Sequence, residues 1–202
     1  MNFIKYDDNI LYFENAIPNV KEFIERVEKT ENTIDMYKPI SKWIPWVDSS
    51  GQTVYGQKKY LRGEHFDLSD PQDVECKEIY EYLNDIIEKC VKIYCQETGR
   101  DMGNVRDKTL YIKKYYESQD MGFHVDTESV EGPTISSVAY LNDDYEGGEI
   151  YFIKQDITIK PKAGSIVVFP SVSPYYHQSK QLLSGRKYIV PTFYFRQKDI
   201  NL

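Results

Sequence analysis

A mostly β chain with supporting helices, built as a sandwich or jelly roll, is the fold class that the sequence predicts. Three observations carry it. Helical period is confined to the first half of the 202 residues. After Arg106 the apolar residues switch to short strand-like runs. Those runs are separated by turn chemistry at Asn142-Asp-Asp, Glu146-Gly-Gly, Lys162-Ala-Gly and Leu183-Ser-Gly. Many short strands punctuated in this way indicate two packed sheets, with the helices on one outer face.

The elements follow in order. Val20, Phe23, Ile24 and Val27 fall at i, i+3, i+4 and i+7 behind Pro18-Asn19, which predicts a capped helix from Val20. A second helix is expected from about Asp73 to Gln96, with Ile79, Leu83, Ile86, Ile87, Val91 and Ile93 as its stripe and Gly99 as its stop. Between them, Lys42 to Gly56 is aromatic and poor in helical period. It reads as a hairpin or ordered loop in which Trp43, Trp46 and Tyr55 form either a minicore or a lid over a substrate. Strands are expected at Thr109–Tyr116, Thr134–Leu141, Gly148–Ile153, Gln155–Lys160, Ser165–Phe169 and Lys187–Phe195. The chain then divides as one domain over 1–202, with helical support and a substrate loop at 1–106 and a β core at 107–202.

Bulk properties remove several function classes. The net charge of −7 argues against a partner that coats nucleic acid, because phosphate binding needs a basic surface. Cys76, Cys90 and Cys95 are odd in number and form no C-x-x-C pair, so they read as free thiols rather than a zinc site or disulfide framework. The N-terminus lacks the apolar stretch of a signal peptide, and no run approaches the roughly 20 apolar residues of a membrane span. A cytoplasmic chain is the expectation, with no membrane partner. Oligomeric state is not legible.

The chemistry-bearing feature is His124-Val-Asp126, joined by a distant His177 in a chain with three histidines. On an extended strand, residues i and i+2 point to one face. Two imidazoles and one carboxylate make the facial triad that holds non-haem Fe(II) with three positions open. An isolated H-x-D is common and usually structural. Here each half follows a different expected strand, and a β-sandwich can bring such ends to one mouth. A basic pair, Arg186-Lys187, follows His177 at nine and ten residues. A buried cation facing a metal pocket needs an anion, which an acidic cosubstrate supplies.

Four segments in order extend this pattern: Tyr115–Asp126, the run Ala139-Tyr-Leu-Asn-Asp-Asp-Tyr-Glu-Gly-Gly-Glu-Ile-Tyr-Phe152, Pro161–Pro170, and His177 through Tyr188. Together, from about Leu110 to Phe195, they resemble the prolyl 4-hydroxylase-like branch of the Fe(II)/2-oxoglutarate-dependent dioxygenases. The resemblance implies a double-stranded β-helix (jelly roll) core packed by N-terminal helices. It implies Fe(II) on His124, Asp126 and His177, 2-oxoglutarate as cosubstrate, O2, and ascorbate as reductant. It further implies hydroxylation of an unactivated C–H, with peptidyl proline as first guess and release of succinate and CO2. A free amino acid or another small molecule is the alternative substrate, and a non-catalytic cupin-like metal-binding module is the alternative class. At one place the chain departs from the pattern: where the family offers a glycine and an aromatic before the first histidine, it has Ser118 and Met121.

The far carboxylate of 2-oxoglutarate requires a cation. Strand parity favours Lys187, which shares a face with Ile189, Pro191, Phe193 and Phe195, over Arg186, which shares one with Tyr188, Val190, Thr192 and Tyr194. Arg186 stays open as the alternative. Tyr115 is either a hydroxyl donor to the cosubstrate or a sheet-packing residue.

Overall fold

The computed structural model describes residues 1–29, 31–32, 40–41, 43–45, 64–68, 74–102, 105–106, 110–129 and 132–195. The chain opens with a hairpin, β1 (Phe3–Asp7) and β2 (Ile10–Phe13), before helix α1 (Val20–Lys29). Short strands follow: β3 (Glu31–Asn32), β4 (Ile40–Ser41), β5 (Ile44–Pro45) and β6 (Glu64–Asp67). Helix α2 (Val74–Thr98) leads through β7 (Val105–Arg106) into β8 (Tyr111–Tyr115) and β9 (Met121–His124). The rest is β10 (Pro133–Tyr140), β11 (Glu146–Gly147), β12 (Ile150–Phe152), β13 (Ile157–Ile159), β14 (Ser165–Pro170), β15 (His177–Ser179), β16 (Leu182–Ser184) and β17 (Lys187–Phe195).

Among the described residues two main antiparallel sheets result, beside the two-stranded pairs β11-β16 and β3-β4. The larger has the order β1-β2-β14-β10-β17-β8-β6-β5, with β7 also on β17. The smaller has the order β13-β12-β15-β9. Period-two alternation then builds two cores on the two faces of the large sheet. On one face, Ile112, Ile135, Ala139, Ile166, Val168, Tyr188, Val190 and Tyr194 pack with the apolar stripes of α1 and α2. On the other, Tyr115, Tyr140, Val167, Phe169 and Ile189 pack with Ile150 and Phe152 of the small sheet. This explains why β14 is buried at every position: it has helix on one side and sheet on the other.

The helices agree with their sequence signals, with one difference in capping. Asn19 has φ +58° and receives the first helical N–H groups on its main-chain carbonyl, from Glu22 (3.0 Å) and Phe23 (3.4 Å). At the other end of α2, Gly99 adopts φ +69° and its N–H returns to Cys95 O at 2.9 Å, the left-handed stop that glycine favours.

The first 106 residues supply more than helical support. β2 pairs with β14 through Leu11↔Val168 and Phe13↔Ile166, and β6 pairs with β8. The large sheet therefore recruits strands from the N-terminal half at both edges. Ile10-Leu-Tyr-Phe13 is buried at all four positions, a short apolar run that shows no alternation because both its faces are covered. No described helix is long and apolar enough to cross a membrane.

Candidate metal centre

Register brings the two histidines together. His124 ends β9, His177 opens β15, and the two residues face each other across that pair. Their rings lie 4.4 Å apart between centroids. Asp126 sits two residues on, beyond the end of β9 rather than on it. This corrects the expectation that H-x-D shares one extended strand. The carboxylate reaches the histidines from a bend, which is held by Asp126 N–H and Thr127 N–H donating to Ser171 O at 2.9 and 3.2 Å.

One atom of Asp126 faces both rings. Oδ1 lies 3.5 Å from His124 Nε2 and 3.9 Å from His177 Nε2. Each histidine ties its other nitrogen to a main-chain carbonyl, His124 Nδ1 to Gly122 O (2.7 Å) and His177 Nδ1 to Tyr175 O (3.1 Å). A carbonyl only accepts, so Nδ1 carries the proton and both Nε2 lone pairs point to a common centre. The three ligand atoms lie within 4.8 Å of one another, and among the described residues no other His/Cys/Asp/Glu group does so. Two neutral imidazole nitrogens and one carboxylate oxygen are a fitting donor set for Fe(II).

Protonation favours the same state. Burial acts to raise the Asp126 pKa, but the facing His124 and His177 side chains and the Ser136 hydroxyl outweigh it, so the carboxyl is held below its ordinary range. Burial pushes the His177 pKa down, only partly offset by Asp126 and the Tyr175 carbonyl. Phe169 and Phe152 wall the His177 ring, at 4.7 and 5.7 Å between centroids.

The cavity beside this cluster is lined by His124, Asp126 and His177 together with Tyr115, Tyr140 and Lys187. Ile189, Pro191 and Phe193 line it too, so β17 presents the face that parity assigned to Lys187. Arg186 faces elsewhere: it is exposed, and its guanidinium lies 5.8 Å from the Tyr116 ring. Lys187 is 2 % exposed, and its ammonium donates to Gly148 O (2.6 Å) and Ser179 Oγ (2.7 Å). Burial lowers its pKa to about 7, against a smaller opposing pull from Glu149. Tyr115 is buried with its ring 5.9 Å from Lys187 Nζ.

Several site residues carry no sequence signal of their own. Tyr140 lines the cavity and lies 5.4 Å from Lys187 Nζ, with its hydroxyl pKa raised by burial. Ser179 and Gly148 are visible only once β15 and the Glu146–Glu149 turn are folded against β17. Gly148 takes φ +68°, and a Cβ there would meet Lys187 Cδ at 3.2 Å. Where the sequence lacks a glycine and an aromatic, Ser118 itself adopts φ +70° and Met121 lines the cavity. Of the aromatic loop, Trp46 and Tyr55 lie outside the described residues. Trp43 is in the core, against Phe66, Tyr188 and the Lys114 ammonium, which stands 3.9 Å from its ring centroid.

Comparison with known proteins agrees with this geometry. Residues 110–196 match the model of the 2OG-Fe(II) oxygenase superfamily. A curated relative, prolyl 3-hydroxylase 2 of Homo sapiens, is 34 % identical over 64 residues, which are 29 % of this chain and 9 % of that protein. The chain thus matches only a small part of that relative's length. A Trichoplax adhaerens prolyl hydroxylase, solved with a hypoxia inducible factor oxygen degradation domain peptide fragment, has a TM-score of 0.72 at 16 % identity, covering 93 % of this chain and 84 % of that one. A Pseudomonas putida prolyl-4-hydroxylase has a TM-score of 0.65 at 14 % identity, covering 93 % of each chain. The viral collagen prolyl hydroxylase of Paramecium Bursaria Chlorella virus-1, as its 2OG complex, has a TM-score of 0.61 at 16 % identity, covering 96 % of this chain and 97 % of that one. These likenesses establish the jelly-roll fold, and the resemblance read from residues 110–195 is borne out.

Proposed function

We infer that this chain, whose residues 110–196 are of the 2OG-Fe(II) oxygenase type, is an Fe(II)- and 2-oxoglutarate-dependent dioxygenase that hydroxylates an unactivated C–H. The observation that carries the reading is the pairing of a buried lysine with a three-ligand cluster in one cavity. A purely structural metal needs no second cation nearby, which speaks against a non-catalytic cupin-like module.

His124 Nε2, His177 Nε2 and Asp126 Oδ1 would hold the ion on one face. Bound there with 2-oxoglutarate and O2, Fe(II) supplies oxidative decarboxylation to succinate and CO2, coupled to insertion of one oxygen atom into a C–H bond. The protein's part is placement. Lys187 has three N–H donors and spends two on Gly148 O and Ser179 Oγ. The third is available to the far carboxylate of 2-oxoglutarate, with Tyr115 and Tyr140 beside it. Arg186 is disfavoured as anchor by its exposure. Ile150, Val138, Ile189 and Met121 give the cavity apolar walls that keep water from the reacting centre.

A peptidyl proline is the favoured prime substrate. The likeness to a prolyl hydroxylase solved with a peptide supports it, as does the match to a prolyl 3-hydroxylase segment. Ascorbate serves as reductant. The test is turnover with Fe(II), 2-oxoglutarate and ascorbate across a panel of proline-containing peptides and free amino acids, read by mass spectrometry. A singly oxygenated peptide that disappears in His124→Ala supports the reading. Oxygenation of free amino acids alone would move the substrate to the small-molecule class, and no oxygenated product from any member would overturn the assignment.

A further inference from the structure

Asp126 is the one ligand of the cluster that no strand holds, so something else must orient its carboxylate. Two buried hydroxyls stand behind it. Ser136 Oγ donates to Asp126 Oδ2 at 2.5 Å, and Ser136 Oγ lies 2.7 Å from Ser171 Oγ. Both serines are essentially inaccessible, at 1 % and 0 %. They come from different elements: Ser136 lies on β10, on its cavity-side parity with Val138 and Tyr140, and Ser171 follows β14.

The direction of the chain follows from proton count. An ionised carboxylate only accepts, so the single hydroxyl proton of Ser136 goes to Asp126. Ser136 must then accept from Ser171, whose own proton completes the line. Ser171 also receives the Asp126 and Thr127 N–H groups on its carbonyl. It therefore grips the main chain of the bend directly and the carboxylate through Ser136.

We propose that Ser136 and Ser171 are positioning residues that fix Asp126 as a one-oxygen ligand. Oδ1 faces both histidines and Oδ2 is occupied by Ser136. A carboxylate freed from Ser136 rotates, so Oδ1 must be re-ordered before it binds, and Oδ2 is released to take a position that cosubstrate or O2 would use. The inference rests on the metal reading above and names the groups that keep that site open.

The test is titration of the full chain with Co(II), following the visible spectrum, whose intensity and band positions report coordination number and geometry. Outer contacts of this kind are worth about 10- to 100-fold in metal affinity. Ser136→Ala is expected to weaken Co(II) binding within that range and to alter the spectrum, while Ser136→Thr, which keeps the hydroxyl, restores both. Ser171→Ala should give a smaller change of the same kind, and the double variant should be no worse than Ser136→Ala, because the two hydroxyls act in series. Should Ser136→Ala fold poorly, the near-isosteric Ser136→Cys replaces it, with the same expected loss. Wild-type affinity and spectrum in a folded Ser136→Ala or Ser136→Cys, or additive losses in the double variant, would overturn the proposal. His124→Ala separates the two levels. If it also binds Co(II) as wild type does, the metal reading has failed; if it loses binding while Ser136→Ala does not, only the positioning role has failed.

Discussion

Replacing Lys187 by alanine tests the cosubstrate site, and the structure sets the size of the effect. The ammonium is buried and held by two protein acceptors, so a third contact to a carboxylate forms without further ordering of the side chain. A hydrogen bond to a charged group contributes about 1.5–3 kcal/mol, so the 2-oxoglutarate Kd should rise about 10- to 150-fold. Burial adds a pH signature. With the Lys187 pKa lowered to about 7, the free protein at pH 8 carries mostly neutral lysine, whereas a bound carboxylate demands ammonium. Binding at pH 8 should therefore take up about 0.9 proton, and affinity should fall up to tenfold per pH unit above 7. The assay is calorimetric titration of 2-oxoglutarate into Mn(II)-loaded protein, in buffers of different ionisation enthalpy. Lys187→Arg, whose charge does not titrate in this range, should lose the proton uptake. An unchanged Kd in Lys187→Ala would refute the anchor assignment. Wild-type affinity that is flat from pH 6.5 to 8.5, without proton uptake, would refute the coupling argument.

Other consequences follow from the same geometry. His177→Ala, His124→Ala and Asp126→Ala should each abolish turnover and weaken Co(II) binding, with fold retention checked by circular dichroism. Gly148→Ala puts a Cβ 3.2 Å from Lys187 Cδ at a φ of +68°, so it should raise the 2-oxoglutarate Kd with little change in metal affinity by the same titrations. The lowered Lys187 pKa means the unfolded chain holds a proton that the folded chain has released, so stability should rise with pH between about 7 and 10, by up to about 1.4 kcal/mol per pH unit. Comparing urea unfolding of wild type with Lys187→Met isolates that slope, and parallel curves would contradict it. Trp43→Ala removes a buried aromatic packed on Phe66 and Tyr188 and should cost about 3–5 kcal/mol in the same unfolding assay.

Much of the candidate site was legible because its signals are local. The H-x-D spacing, the isolated His177 and the parity of Lys187 against Arg186 each need only a strand period. The supports were not legible. Ser136, Ser171 and Ser179 are ordinary strand or turn serines until β10, β14 and β15 converge, and no spacing rule links residues 8 to 45 positions apart. The same limit hid the edges of the large sheet. Ile10-Leu-Tyr-Phe13 gives no alternation, because it is covered on both faces, and its partner Ser165–Pro170 lies more than 150 residues away. Asp126 misled for a different reason. The strand period assigns it to the face of His124, but β9 ends at His124, and the bend that follows is shaped by Ser171 rather than by a ladder. The tyrosines show the converse. Tyr140 reads only as a strand former, and Tyr115 as either a cosubstrate donor or a sheet-packing residue, yet both fill the space between the sheets together with Tyr12.

The central claim is that this cavity couples 2-oxoglutarate to O2 through the His124, Asp126 and His177 cluster. The measurement is the isotopic composition of succinate formed under labelled dioxygen with Fe(II) and ascorbate, for wild type and His124→Ala side by side. The account predicts succinate from the wild type that carries one labelled oxygen atom, and none above background from the variant. Equal succinate from both proteins, or unlabelled succinate from the wild type, would contradict it.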